Sequence, residues 1–209
     1  MAYSWTNWID ESAQFLRPGG HISVSGNVYA KLLVRDFVEN GSNPLIRAEA
    51  LAEVGGFDES LPAVEDWDMW LRLAARYEFV CVPSPQILYR VSSNSMSSNV
   101  WKMEAGSLRV IERAFAQAPE SIQHLKREIL GSRYQYLTLK AIEGLPERSK
   151  GLAAARFFWQ AITNNPAWLQ RTQLMLIVLL KITIAILLPP RQAQSLLNIL
   201  KTNLAKTSR

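Results

Sequence analysis

The stretch that decides the fold runs from Gly55 to Ala74 and reads GGFDESLPAVEDWDMWLRLA. Its glycine pair permits backbone conformations that other residues avoid, as a sharp turn close to a ligand requires. Glu65 and Asp66 then precede apolar residues with the spacing of one helix face. The pattern predicts a turn followed by a helix over about residues 65–76, which begins with two carboxylates and buries one side.

Acids at the start of a helix suit proton transfer. The free N–H groups and the macrodipole of the first turn stabilise a carboxylate, and an ionised carboxylate can accept a proton from a substrate hydroxyl. From spacing alone two interpretations stay open, a general base or the ordinary acids found at many helix starts. Asp66 and Asp68 also spell D-x-D, a string associated with a divalent metal, but residues i and i+2 of a helix point in different directions. The sequence therefore predicts no metal site at this pair.

Short elements surround this stretch in the first hundred residues and indicate an α/β domain. The patterns predict a strand at His21–Ser25, helices at 28–38 and 47–54, and short strands at 79–83 and 86–91. The Ser- and Asn-rich segment from Ser92 to Asn99 predicts a loop. Everything after Val100 has helical spacing, with helices predicted at 100–118, 121–143, 147–164, 167–188 and 191–206. We therefore predict an α/β domain over 1–99 and an all-α extension over 100–209.

Composition excludes several classes of protein. The chain has 209 residues, of which 48% are hydrophobic and 20% charged, a balance that excludes a disordered chain. A single cysteine, Cys81, excludes a disulfide scaffold, and no His or Cys cluster has zinc spacing. The first residues lack the pattern of a secretory signal, so we expect a cytoplasmic protein.

Charge divides unevenly along the chain. Residues 1–147 contain 14 Lys and Arg against 18 Asp and Glu, whereas residues 148–209 contain nine basic residues and no acid. This asymmetry predicts an anionic partner for the C-terminal part, and an anionic lipid surface fits better than nucleic acid because the segments between the cations are strongly apolar.

The most apolar segment, Leu174 to Leu188, has Lys181 as its one charge. Its length of about 22 Å is short of the about 30 Å of a hydrocarbon core. Three arrangements stay open: an interfacial helix, a helix in a bundle, and a membrane span. The interfacial one is favoured and predicts peripheral membrane contact through 167–209, at the inner face of the membrane. Its expected anchors are Trp159, Trp168, Arg171, Arg191 and Lys201.

The motifs together resemble a known family. Residues 47–61, residues 65–74 and the pair Tyr89–Arg90 resemble, in this order, the acceptor-side half of family 2 glycosyltransferases of the GT-A fold. Residues 1–39 resemble that family more loosely. The resemblance implies an inverting transfer of a sugar from a nucleotide-diphospho-sugar to a sugar or lipid-linked acceptor hydroxyl, in the synthesis of cell-surface polysaccharide or glycolipid. It also implies a partial GT-A sheet that is mostly parallel.

The resemblance assigns roles to six residues, and the sequence itself adds a seventh candidate. Asp66 would be the catalytic base and Glu65 its partner or an acceptor contact. Gly55, Gly56 and Asp58 would shape the acceptor pocket. Arg90 would meet the diphosphate of the donor or would be a surface cation at a strand end. Apart from the resemblance, Trp67 and Trp70 are aromatic residues that could stack on a sugar ring, and we expect one of the two to belong to the core.

The resemblance is incomplete at its beginning. The family's nucleotide-binding segment, with the D-x-D that holds a divalent cation (Mg or Mn), is not recognised before Tyr3, and the loop after Arg90 lacks the histidine often found there. We therefore expect a truncated enzyme, or one half of a split enzyme whose partner chain supplies the missing half. The alternative is a non-catalytic remnant or interaction module that docks on a membrane or on a partner chain.

Overall fold

The computed structural model of the chain describes residues 1–92 and 99–207, and for 201–207 only the backbone helix. Most of the predicted loop at Ser92–Asn99, and the side chain of Lys201, therefore lie outside the described residues. The packing of the chain defines two units, residues 1–129 and residues 130–209. The predicted domain boundary after residue 99 marks the end of the part that resembles a glycosyltransferase. That boundary is a statement about sequence rather than packing, and it stays a prediction.

The first unit is built on a three-stranded sheet with the order β2-β1-β3. The strands are β1 (Ala2–Ile9), β2 (Phe15–Pro18) and β3 (Val80–Arg90). β1 pairs with β3 in parallel and with β2 in antiparallel orientation. Because β1 and β3 are parallel, Ile9 and Arg90 at their carboxyl ends lie at the same edge of the sheet.

The first unit also contains helices. They are α1 (Tyr29–Val34), α2 (Ala48–Val54), α3 (Glu65–Ala74), α4 (Val100–Gln117), α5 (Glu120–Gln123) and α6 (Lys126–Ala141), of which α6 continues into the second unit. α3 contacts α1, α2 and α4, and it supplies the largest side chains of the core. The predicted helices at 47–54 and 65–76 are confirmed within two residues at each end.

The predicted strand at His21–Ser25 is wrong. This segment is not paired as a strand, and its backbone is hydrogen-bonded by the side chain of Tyr3. The Tyr3 hydroxyl accepts from the Val24 backbone N–H at 2.8 Å and lies 3.0 Å from the carbonyl oxygens of Ile22 and Val24. The strand beside β1 is instead Phe15–Pro18, whose four side chains are all exposed, so that hydrophobic alternation did not reveal it.

The second unit is helical throughout its described residues. α6 is followed by α7 (Arg148–Asn164), a 3₁₀ helix (Pro166–Gln170), α8 (Thr172–Leu187) and α9 (Pro190–Thr207). The helix ends coincide with the proline, glycine and asparagine breaks of the sequence. The predicted class, α/β followed by an all-α part, is confirmed. None of the helices in the described part of the chain combines the length and the apolar composition needed to cross a bilayer.

Candidate functional site

Glu65 and Asp66 lie in the first turn of α3, and both residues are half-buried. The Oδ1 atom of Asp66 accepts a hydrogen bond from the backbone N–H of Trp67 at 2.8 Å. The macrodipole and the N–H groups of the first turn favour an ionised carboxylate at this position. Ionisation is the state that a general base needs before it can take a proton.

The backbone just before these acids is strained. Val64 has φ 61° and ψ 28°, a left-handed conformation that is rare for a β-branched residue and costs about 1 to 3 kcal/mol. α4 packs directly over it: a Cβ atom on Gly106 would overlap the carbonyl oxygen of Ala63 and would lie 3.1 Å from the Val64 side chain. This close packing stabilises the strained conformation and thereby fixes the direction in which α3 begins.

The remainder of α3 anchors it in the core. Trp67, Met69, Trp70 and Leu73 are each at most 2% exposed. The indole N–H of Trp67 donates to the carbonyl oxygen of Leu32 at 3.0 Å. Of the two interpretations for Trp67, the structure therefore supports the core residue, because its ring is covered and offers no face on which a sugar could stack. The prediction of Trp67 as a substrate contact is corrected accordingly.

Asp68 has different surroundings from Asp66. Its side chain is 3% exposed and forms ion pairs with Arg72, at 2.8 Å from Nε, and with Arg113 of α4, at 3.1 Å from Nη1. Two cations compensate the cost of burying this carboxylate. Asp68 is therefore a structural acid that is held between α3 and α4.

The same two arginines hold the turn from Gly55 to Asp58. Arg72 donates from Nη1 to the carbonyl oxygen of Val54 at 2.6 Å and from Nη2 to that of Gly56 at 2.9 Å. Arg113 pairs with Asp58 at 2.7 Å. Gly55 has φ 82°, which explains the need for glycine there. Three predicted site residues, Gly55, Gly56 and Asp58, are thus tied to α3 by one network of ion pairs and hydrogen bonds.

The charge of Asp58 is stabilised by this network. The Ser60 hydroxyl, followed by the Arg113 guanidinium, donates hydrogen bonds that lower the pKa of Asp58 from 3.8 to about 2. The pKa of Arg113 is raised in turn, chiefly by its hydrogen bond to Asp58. Asp58 therefore stays ionised at neutral pH and holds the turn in place, rather than exchanging a proton with a substrate.

Arg90 lies at the carboxyl end of β3 and is exposed. Its Nη1 atom donates to the carbonyl oxygens of Asp10, at 3.1 Å, and Glu11, at 2.8 Å. These bonds connect the end of β3 to the turn that follows β1. The structure places Arg90 at the carboxyl edge of the sheet, but these bonds do not connect it to α3 or to the Gly55–Asp58 turn.

The loop at residues 40–43, which the sequence predicts only as a break in the chain, lies between β1 and Asp66. The Asn40 amide donates to the Thr6 hydroxyl at 3.0 Å, and the Asn43 amide donates to the Ser4 carbonyl oxygen at 2.7 Å. Between them, a Cβ atom on Gly41 would lie 4.0 Å from Cβ of Asp66. The Asn40 and Asn43 side chains order this loop, and sequence reasoning missed them, although two asparagines on either side of a glycine could have indicated an ordered turn.

The described residues do not fit a divalent cation. Across residues 1–92 and 99–200, His, Cys, Asp and Glu side chains form no group of three or more that could hold a metal ion. The Asp68 carboxylate is already paired with two arginines. A cavity of about 360 Å³ lies at the opposite ends of β1 and β3, next to Met1, Glu78 and Val80, and none of the seven predicted site residues lines it.

Comparison with known proteins identifies the family. The sequence of residues 1–141 matches the family described as glycosyltransferase like family 2. The chain belongs to this family. The match to glycosyltransferase-like family 2 extends beyond residue 99 through α4, which contains Arg113, and ends with α6. No curated protein and no solved structure matches the chain. The predicted resemblance is therefore confirmed at the level of the family.

Proposed function

We propose that the chain carries the acceptor-side part of an inverting glycosyltransferase of the GT-A type. It would transfer a sugar from a nucleotide-diphospho-sugar to the hydroxyl group of a sugar or lipid-linked acceptor, in the synthesis of cell-surface polysaccharide or glycolipid. One observation carries the proposal beyond the family match. A half-buried acidic residue, Asp66, stands at the start of a rigidly packed helix whose Arg72 holds the glycine turn.

The reaction needs one base and one direction of attack. The acceptor oxygen attacks the anomeric carbon of the donor sugar, and the bond from that carbon to the phosphate oxygen breaks. Asp66 takes the hydroxyl proton, and the nucleoside diphosphate leaves with the electron pair. Because this is a single displacement, the configuration at the anomeric carbon inverts. Glu65, beside Asp66 in the first turn, would contact the acceptor.

The remaining predicted residues would position the acceptor and the donor. Arg72 and Arg113 fix the turn from Gly55 to Asp58, so that its exposed backbone keeps one shape beside α3. Arg90, at the carboxyl edge of the sheet, would face the diphosphate. Fixed positioning of both reactants is a large part of what an enzyme contributes to such a transfer.

Donor binding needs residues beyond those described. Family members hold the diphosphate with a divalent cation, and the described residues do not fit one. We assign these ligands to another part of the same polypeptide or to a partner chain, and no step above depends on the cation.

The test is release of nucleoside diphosphate from a panel of nucleotide-sugars with added Mg or Mn. It compares the 209-residue chain alone with the chain co-expressed with the product of its neighbouring coding sequence. We expect weak turnover alone and faster turnover with the added segment. Asp66→Asn should lower the rate about 100-fold or more, because the base is lost while the shape is kept. Full activity of D66N would refute the role of Asp66, and robust turnover by the chain alone would refute the assignment of donor binding.

The alternative is a non-catalytic module that docks on a membrane or a partner. It is favoured by the position of the 360 Å³ cavity, which Asp66 does not line. The same assay separates the two functions, since the alternative predicts no turnover in any combination of segments.

A further inference from the structure

One side of α8 carries large aliphatic side chains that the described residues leave largely exposed. We define the α8 face as Leu176, Ile177, Leu179, Leu180 and Leu187, which are between 45% and 72% exposed. A soluble monomer rarely exposes so many adjacent aliphatic residues without an interaction to match. The α8 face is therefore a candidate interaction surface.

The other side of α8 is already occupied. Met175, Val178, Ile182 and Ala185 are buried, and α8 packs against α7. A Cβ atom on Gly151 of α7 would lie 3.0 Å from Cβ of Ala185, so the two helices approach as closely as a glycine allows. This packing fixes the rotation of α8 and leaves the α8 face pointing away from α7.

The sequence that contains α8 is strongly basic. From residue 148 onward the sequence contains nine basic residues and no acidic one. Arg171 immediately precedes α8, and Arg191 lies near the start of α9; both are exposed. An aliphatic surface with cations at its two ends complements a layer that is hydrocarbon inside and anionic at its surface.

Other occupants fit less well. A second copy of the chain would bring two strongly basic segments together, and like charges repel. A folded protein partner would meet five side chains that offer no hydrogen-bonding group, whereas lipid hydrocarbon requires none. The 16 residues of α8 extend about 24 Å, less than the about 30 Å of a hydrocarbon core, so the helix would lie along the surface.

We propose that the α8 face binds the surface of an anionic lipid bilayer, with its five aliphatic side chains among the upper acyl chains and Arg171 and Arg191 beside the lipid phosphates. This inference does not rest on sugar transfer. Lipid binding is measured without any donor or acceptor, so its failure and the failure of the proposed function are distinguishable.

The first experiment is co-sedimentation of the 209-residue chain with lipid vesicles. The vesicles consist of phosphatidylcholine alone or of phosphatidylcholine mixed with phosphatidylglycerol, at low and high salt. We expect binding to the anionic vesicles to be tighter by about tenfold or more, and to weaken with salt. Binding to neither kind of vesicle, or equal binding to both, overturns the proposal.

The second experiment locates the surface. The combined substitution Leu176→Gln, Leu180→Gln and Leu187→Gln leaves the charge unchanged and should weaken binding about tenfold or more. The matched control replaces three exposed leucines elsewhere, Leu45, Leu88 and Leu145, by glutamine and should bind as the wild type does. Equal loss in both variants, or loss in neither, overturns the proposal.

A third measurement does not depend on polar substitutions being tolerated. In a Cys81→Ser background, an environment-sensitive dye on Leu180→Cys should shift to the blue with anionic vesicles, and the same dye on Leu145→Cys should not. Absence of the shift on Leu180→Cys overturns the proposal. Self-association that is lost in the triple glutamine variant, together with no vesicle binding, would identify a second copy as the occupant instead.

Discussion

Removal of the Arg113 guanidinium is the sharpest test of the ion-pair network. Arg113→Met keeps the aliphatic stem and removes the cation that bridges Asp58, at 2.7 Å, and Asp68, at 3.1 Å. Asp68 is 3% exposed and would keep Arg72 as its one remaining cation. The substitution therefore tests whether α4 holds the glycine turn against α3.

The expected loss follows from the burial of the partners. Removing one partner of a buried ion pair costs about 3 to 5 kcal/mol. The cost here is lower, since Arg113 is 41% exposed and Arg72 still compensates Asp68. We expect the free energy of unfolding to fall by about 2 kcal/mol, which lowers the melting temperature of the first unit by about 6 to 10 °C.

The assay is urea and thermal unfolding followed by the fluorescence of the buried tryptophans of the first unit. The matched control is Arg109→Met, one turn earlier on α4, where the guanidinium donates to the Ser60 carbonyl oxygen in an exposed position. It should change stability by no more than about 0.5 kcal/mol. In an Asp68→Asn background the effect of Arg113→Met should shrink. Equal losses for R113M and R109M, with no such shrinkage, would refute the reasoning.

Two further predictions concern the same region. Gly106→Ala should lower the free energy of unfolding by about 1 to 3 kcal/mol, because the new methyl group overlaps the Ala63 carbonyl oxygen. The control Gly56→Ala places its methyl group in open space and should change the free energy of unfolding little. Equal melting temperatures of the two variants would contradict this prediction. Since folding lowers the pKa of Asp58 from 3.8 to about 2, its contribution to stability is present above pH 4 and is lost as the pH falls towards 2. The free energy of unfolding, measured by urea unfolding at each pH between 4 and 2, should therefore fall more steeply for the wild type than for Asp58→Asn. Parallel pH profiles of the two proteins would argue against the ion pair.

The sequence predicted those parts of the fold that depend on neighbouring residues. α3 begins at Glu65 because an acidic first turn and an apolar face are both local patterns. The helices of the second unit end at prolines and glycines for the same reason. The segment His21–Ser25 has an equally clear local pattern, but its backbone forms hydrogen bonds with the Tyr3 hydroxyl instead of with a strand. Hydrophobic alternation cannot predict a side chain as the hydrogen-bond partner.

The candidate site was predicted only in part, because its network joins distant segments. The two acids and the glycine pair stand out in the sequence, and their roles in sugar transfer stay predictions. Arg113 lies 45 residues from Asp68 along the chain, so nothing local indicates that they pair. Trp67 illustrates the opposite error, since an aromatic residue beside a candidate base is as compatible with a core position as with a sugar contact.

The parallel pairing of β1 with β3 has a consequence for synthesis on the ribosome. β1 ends at Ile9, but its partner strand is complete only when Arg90 has been made. Until then β1, which is rich in aromatic residues, can pair with β2 on one side only, and its other edge is a template for association with other nascent chains. The interval of synthesis between Ile9 and Arg90 is thus a stage at which a chaperone can protect this edge, and slow codons placed before Val80 would lengthen the exposure.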